Sequence, residues 1–116
     1  MAPKGPFRLA TVNTAPDRAR RLIGIVVEDM ASRFTIIYAG NAESIEEVQS
    51  VVEELKPDLL LTASMWTPEE ATEIISIAKG VVPDLKTFSL PQGLQAQGGP
   101  DAVVDYILKH LPALLN

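Results

Sequence analysis

A chain of 116 residues with 47% hydrophobic and 22% charged side chains has the make-up of one ordinary globular domain, which excludes disordered and fibrous classes. Ten lysines and arginines against fifteen aspartates and glutamates give a formal net charge of -5. That sign repels a phosphate backbone, so nucleic acid is not an expected partner. Cysteine is absent, which removes disulfides, thiolate metal sites and cysteine nucleophiles and fits a cytoplasmic location. No apolar run approaches the roughly 20 residues of a bilayer crossing, so no membrane association is expected either.

Residues 1–6 (Met-Ala-Pro-Lys-Gly-Pro) lack the apolar stretch of a signal peptide and read as a short flexible leader, with 7–116 as a single α/β domain. A first strand is predicted over 7–13 and a first helix over 15–30. On that helix Ala19, Leu22, Ile23, Val26, Val27 and Met30 recur at three- and four-residue steps, opposite Arg18, Arg21 and Glu28. A second strand, 33–39, ends at the turn-like pair Gly40-Asn41. The second helix then turns Ile45, Val48, Val51, Val52 and Leu55 inward until Pro57 stops it. The third strand, 58–64, holds Leu59-Leu60-Leu61 without alternation, as a strand covered on both faces does. Pro68 occupies the first position of the third helix, which runs through Ile74, Ile75 and Ala78 to a stop at Gly80. Strand 85–90 is more polar at Lys86 and Ser89 and belongs at an edge. Gly98-Gly99-Pro100-Asp101 opens a last helix that buries Val103, Val104, Ile107 and Leu111, and residues 93–97 could supply a short fifth strand.

Three junctions carry the pattern of a capping box: Thr14-x-x-Asp17, Ser44-x-x-Glu47 and Thr67-x-x-Glu70. Strand, cap and helix repeated in this way predict a three-layer α/β/α domain on a parallel sheet of flavodoxin-like, Rossmann-like kind, in the order 2-1-3-4 with 5 beyond it if the fifth strand forms. The order reverses between strands one and three, and ligands bind such sheets at that switch point, beyond the carboxyl ends of the strands.

The predicted crevice is rich in neutral hydrogen-bonding groups. Asn13, Thr14, Arg18, Asn41, Ser64, Trp66 and Gln92 are the candidate ligand-binding residues. Each has a structural reading beside the functional one: Thr14, like Ser44 and Thr67, as a helix cap, and Asn13 and Asn41 as turn formers. Arg18 reads, with Arg20 and Arg21, as a solvated basic face or as an anion site. Trp66 is either a lid over the end of the sheet or a ring that stacks on a ligand or anchors a partner. The single histidine, His110, falls late in the last helix, away from the crevice. No metal cluster or catalytic set assembles, and neither a cofactor nor a metal is expected.

Two family resemblances follow from these segments. Lys56-Pro57-Asp58-Leu59-Leu60-Leu61, followed by Met65, resembles the third strand of response-regulator receiver domains. The resemblance puts the phosphoacceptor position at Ala63 and the acidic pair at Asn13-Thr14, and finds no counterpart of the fifth-strand lysine, which implies a pseudo-receiver. The chain also resembles the cobalamin-binding domain of methionine-synthase type, with Asp17 where that family begins D-x-H-x-x-G, Pro57-Asp58 leading a strand that ends in Ser64, and Gly98 to Ala102 before a closing helix. Ala19 stands at the cobalt-ligating histidine and Leu22 at the glycine.

The leading expectation is a non-catalytic small-molecule-binding or sensory domain, with its site at the carboxyl ends of strands one and three. The alternatives are a pseudo-receiver or adaptor acting through protein contacts, as a homodimer suggested by the apolar tail 111–115, and a small enzyme using Asp17 or Glu43 as base at the crevice rim.

Overall fold

Strands and helices alternate along the chain because segments with apolar residues at the three- and four-residue steps of a helix are separated by short apolar runs that suit buried strands. The structure, a computed structural model, describes residues 3–116. The elements run β1 (Lys4–Val12), α1 (Pro16–Met30), β2 (Phe34–Ala42), α2 (Ile45–Leu55), β3 (Leu59–Thr62), α3 (Pro68–Val81), β4 (Lys86–Ser89) and α4 (Leu94–Leu115). All strand pairs are parallel and the order is β2-β1-β3-β4. This is the expected three-layer α/β/α arrangement, with the reversal of strand order between β1 and β3.

The Leu59-Leu60-Leu61 run is explained by two cores. Leu59 and Leu61 join Leu9, Leu22, Ile23 and Val26 of one core, to which α4 adds Val103, Ile107 and Leu111. Leu60 points the other way, with Ala10 and Val12, against Val48 and Val52 of α2 and Ile74 and Ala78 of α3. Helices α1 and α4 therefore cover one face of the sheet, and α2 and α3 the other. No described helix is long and apolar enough to cross a membrane.

Several boundaries differ from the sequence expectation, each for a physical reason. Of the expected leader, residues 1–2 lie outside the described residues, while Lys4 to Pro6 already belong to β1, whose Lys4 N–H bonds to the Arg33 carbonyl at 2.9 Å. Strand β2 does not end at Gly40-Asn41 but continues to Ala42. Gly40 serves a close approach instead of a turn, since a Cβ there would lie 2.7 Å from Leu55 Cδ1 of α2. The fifth strand is absent among the described residues. Gly93 N–H bonds to the Ser64 carbonyl and Gln97 N–H to the Gly93 carbonyl, so this backbone closes a helical turn rather than offering an edge. Helix α4 accordingly begins at Leu94 and is kinked at Gly99, whose φ of 72° and ψ of -171° suit only glycine, before Pro100 restarts it. The apolar tail is not spare surface: Leu111 and Leu115 are buried and Leu114 packs against the same core. That packing removes the motive for a homodimer built on residues 111–115.

Candidate functional site

Proline sets the frame of the first junction. Pro16 at the first helical position makes Ala15 the N-cap of α1, and no side chain caps the helix there. Thr14 is left one residue outside the helix, so its expected capping role is corrected. The turn is held by Asn13, whose Oδ1 accepts from Ala15 N–H at 2.8 Å. The Thr14 hydroxyl donates to Met65 Sδ at 3.0 Å, and Thr14 N–H reaches the same sulfur at 3.3 Å. The loops leaving β1 and β3 are thereby joined across the switch point.

At the other junctions the capping pattern succeeds once and shifts once. Thr67 Oγ1 accepts from Glu70 N–H at 3.1 Å while Glu70 Oε1 accepts from Thr67 N–H at 3.0 Å, a complete capping box. Ser44 is the N-cap of α2 but its hydroxyl makes no capping bond, and Glu47 Oε1 instead accepts from Glu43 N–H at 2.9 Å. The reciprocal box expected at Ser44 is therefore not formed.

Ser64, just past the end of β3, fixes the third wall. Its Oγ accepts from Gln95 N–H at 3.1 Å and its carbonyl from Gly93 N–H at 2.9 Å, which ties the β4–α4 loop down beside the end of β3. Between this loop and the β1–α1 junction lies an open cleft of about 440 Å³, lined by Thr14, Arg18, Ser64, Met65, Gln92, Gly93, Gln95 and Ala96. A volume of this order suits a metabolite-sized ligand. The lining offers hydroxyls, amides and one guanidinium, that of the half-buried Arg18, and includes no carboxylate, imidazole or thiol. Chemically such a set offers hydrogen-bond donors and acceptors and one positive charge, and it holds no ordinary proton acceptor for general-base work.

Four of the seven sequence candidates thus line one cleft: Thr14, Arg18, Ser64 and Gln92. Asn13 lies beside it, buried, at a small cavity of about 20 Å³ shared with Arg18 and Ser64. Asn41 and Trp66 are engaged elsewhere. Asn41 Nδ2 donates to the Asn13 carbonyl at 3.0 Å, and its Oδ1 accepts from Thr11 Oγ1 at 2.6 Å, with Tyr38 Oη a further 2.8 Å from that hydroxyl. This polar chain braces the ends of β1 and β2. Trp66 packs with the α2/α3 core, and its Nε1 donates to the Val12 carbonyl at 2.9 Å. Of its two readings, the geometry matches the lid.

Met65, Gly93, Gln95 and Ala96 complete the lining, although none of them is among the candidate ligand-binding residues chosen from the sequence. Met65 stood beside the more conspicuous tryptophan, although its place directly after the central strand was a usable signal. Asp17 and Glu43, the acids expected at the rim, are exposed and outside the lining. His110 is exposed, its ring 4.3 Å from that of Tyr106. A cavity of about 20 Å³ under Thr11 and Asn13 could hold one water at most. A further cleft of about 260 Å³, with Asp58 and Lys86 in its wall, lies at the opposite end of the strands. No group of three or more metal-ligating side chains occurs among the described residues.

Neither a family model nor a curated protein matches the chain. Among solved structures the fold is similar to the isolated receiver domain of RcsB from Salmonella enterica serovar Typhimurium, determined in the presence of phosphomimetic BeF3-. The TM-score is 0.57 at 15% identity, covering 87% of this chain and 72% of that one. It is also similar to the response regulator domain of Thermotoga maritima CheB, with a TM-score of 0.52 at 16% identity, covering 88% and 72%. The likeness is one of fold: a flavodoxin-like, receiver-type sheet and its helices.

Proposed function

We propose that this chain is a non-catalytic regulatory domain that binds a small polar ligand at the carboxyl ends of β1 and β3. One observation carries the reading: the 440 Å³ cleft at the switch point is lined by amides, hydroxyls and a single cation, with walls tied by Ser64 and Met65. The position agrees with the rule for open parallel sheets. The test is a thermal-shift screen against nucleotides, sugars, organic acids and corrinoids. A ligand at about a hundred times its Kd adds about 2.7 kcal/mol to stability, several degrees in Tm. At least one class is expected to raise Tm in the wild type and to lose that effect in a Gln92→Ala, Gln95→Ala double variant. A screen in which no class raises Tm would overturn the reading.

A second reading, a pseudo-receiver or adaptor working through protein contacts, is supported by the receiver-type fold together with Ala63 just beyond β3. Its homodimer form predicts a mass that rises with concentration in light scattering. A mass that stays monomeric at high concentration removes that form.

A further inference from the structure

Thr14 presents two good donors, its amide and its hydroxyl, and both are directed at one thioether sulfur, Met65 Sδ, at 3.3 and 3.0 Å. A thioether is a weak acceptor and Thr14 is exposed, so both donors are accessible to a stronger acceptor that enters the cleft. Both residues line the cleft, and Arg18, one helical turn beyond Thr14, lines it as well. Methionine has three rotatable bonds and repacks at little cost. Here it is half-buried, with open cleft beside it.

We infer that the ligand of this cleft carries an anionic oxygen, a carboxylate or phosphate, that displaces Met65 Sδ and takes its place on Thr14 N–H and Oγ1, with Arg18 supplying the counter-charge. The inference rests on the cleft being the ligand site. Two neutral donors that now meet sulfur would meet a charged oxygen, and hydrogen bonds to an ionised acceptor are roughly twice as strong as neutral ones. The lining favours an anion over a cation on the same ground: it contains a guanidinium and no carboxylate. Asp17, the nearest acid in sequence, is exposed and outside the lining.

The experiment is an amide NMR titration of the full chain with inorganic phosphate, succinate and the neutral isostere succinamide. It is run on the wild type, Arg18→Gln, Arg18→Lys and Met65→Leu, with circular dichroism to confirm that each is folded. Phosphate or succinate is expected to shift the Thr14 amide saturably, and succinamide to leave it in place. Arg18→Gln weakens anion binding by about tenfold or more, as expected for loss of a charged partner, while Arg18→Lys retains most of it. Met65→Leu tightens it by about three-fold or more, because the anion no longer competes with a sulfur acceptor. A purely structural Met65 would not produce that tightening. Equal binding of succinamide, indifference to Arg18→Gln, or weaker binding in Met65→Leu would each overturn the inference. So would a Thr14 amide that no probe moves in either the wild type or Met65→Leu. Movement of the Gln92 and Gln95 amides by succinamide with Thr14 unmoved sinks the anion and leaves the cleft as a ligand site.

Discussion

Thr62 and Ser64 stand two residues apart where β3 hands over to α3, and both are buried, at 0% and 6% exposure. Ser64 Oγ accepts from Gln95 N–H at 3.1 Å, whereas Thr62 Oγ1 has no hydrogen-bond partner among the described residues. Replacing each hydroxyl by an apolar group must therefore act with opposite sign. Thr62→Val keeps the branched Cβ and nearly the same volume, removes an unpaired buried hydroxyl that costs about 1–3 kcal/mol, and adds a buried methyl worth about 0.8 kcal/mol. Allowing for an imperfect fit, the net gain is about 1–2 kcal/mol, or about 4–8 °C in Tm for a domain of this size. Ser64→Ala leaves the Gln95 amide without its acceptor and costs about 1–2 kcal/mol. Urea unfolding at equal m-value reads both changes as shifts of the midpoint, up for Thr62→Val and down for Ser64→Ala. Hydrogen exchange at Gln95 should accelerate in Ser64→Ala alone, because only that variant removes the acceptor of this amide. A Thr62→Val protein less stable than wild type by more than about 0.5 kcal/mol would mean that its hydroxyl is paired, through a buried water for instance, and the reasoning would fail.

Three further outcomes follow from the same geometry. Thr67→Ala breaks a complete capping box and should cost about 1–2 kcal/mol, whereas Ser44→Ala should cost less than about 0.5 kcal/mol because its hydroxyl caps nothing; equal losses in urea unfolding would contradict the assignment. Gly99→Ala should lose about 1–3 kcal/mol although no atom crowds the position, since the penalty lies in the backbone, and a variant as stable as wild type would show that α4 is not kinked there. Trp66→Phe should lose about 1 kcal/mol with its bond to Val12 and leave the phosphate titration unchanged; a weakened titration at unchanged stability would return the ring to the ligand site.

The fold was legible because it is written in local periods. Apolar residues at three- and four-residue steps mark the helices, the Leu59-Leu60-Leu61 run marks a strand covered on both sides, and the polar Lys86 and Ser89 mark an edge. Chirality of the crossovers then leaves few strand orders, and the observed one is the order these rules give. Three of the misplaced features depended on contacts distant in sequence. Gly40 looked like turn chemistry until Leu55 was placed above it. Residues 93–97 looked free to form a strand until Ser64 claimed the Gly93 and Gln95 amides. The tail 111–115 looked superfluous until α4 was seen to share a core with α1.

The candidate site was legible in position and only partly in membership, and the Thr14 junction shows why. Sequence alone offered Thr14-x-x-Asp17 and Thr67-x-x-Glu70 as equivalent, but the prolines distinguish them. Pro68 directly follows Thr67 and so puts that threonine at the N-cap, while Pro16 lies two residues after Thr14 and hands the N-cap to Ala15. A proline fixes the helical frame where a capping motif only suggests it, because the ring sets φ and excludes all but the first turn. A one-residue offset is enough to take the Thr14 hydroxyl out of reach of the helix amides. It meets Met65 across the cleft instead. The offset therefore separates a threonine spent on starting a helix from one whose donors remain available to a ligand, and it was readable from the spacing of two prolines before any contact was known.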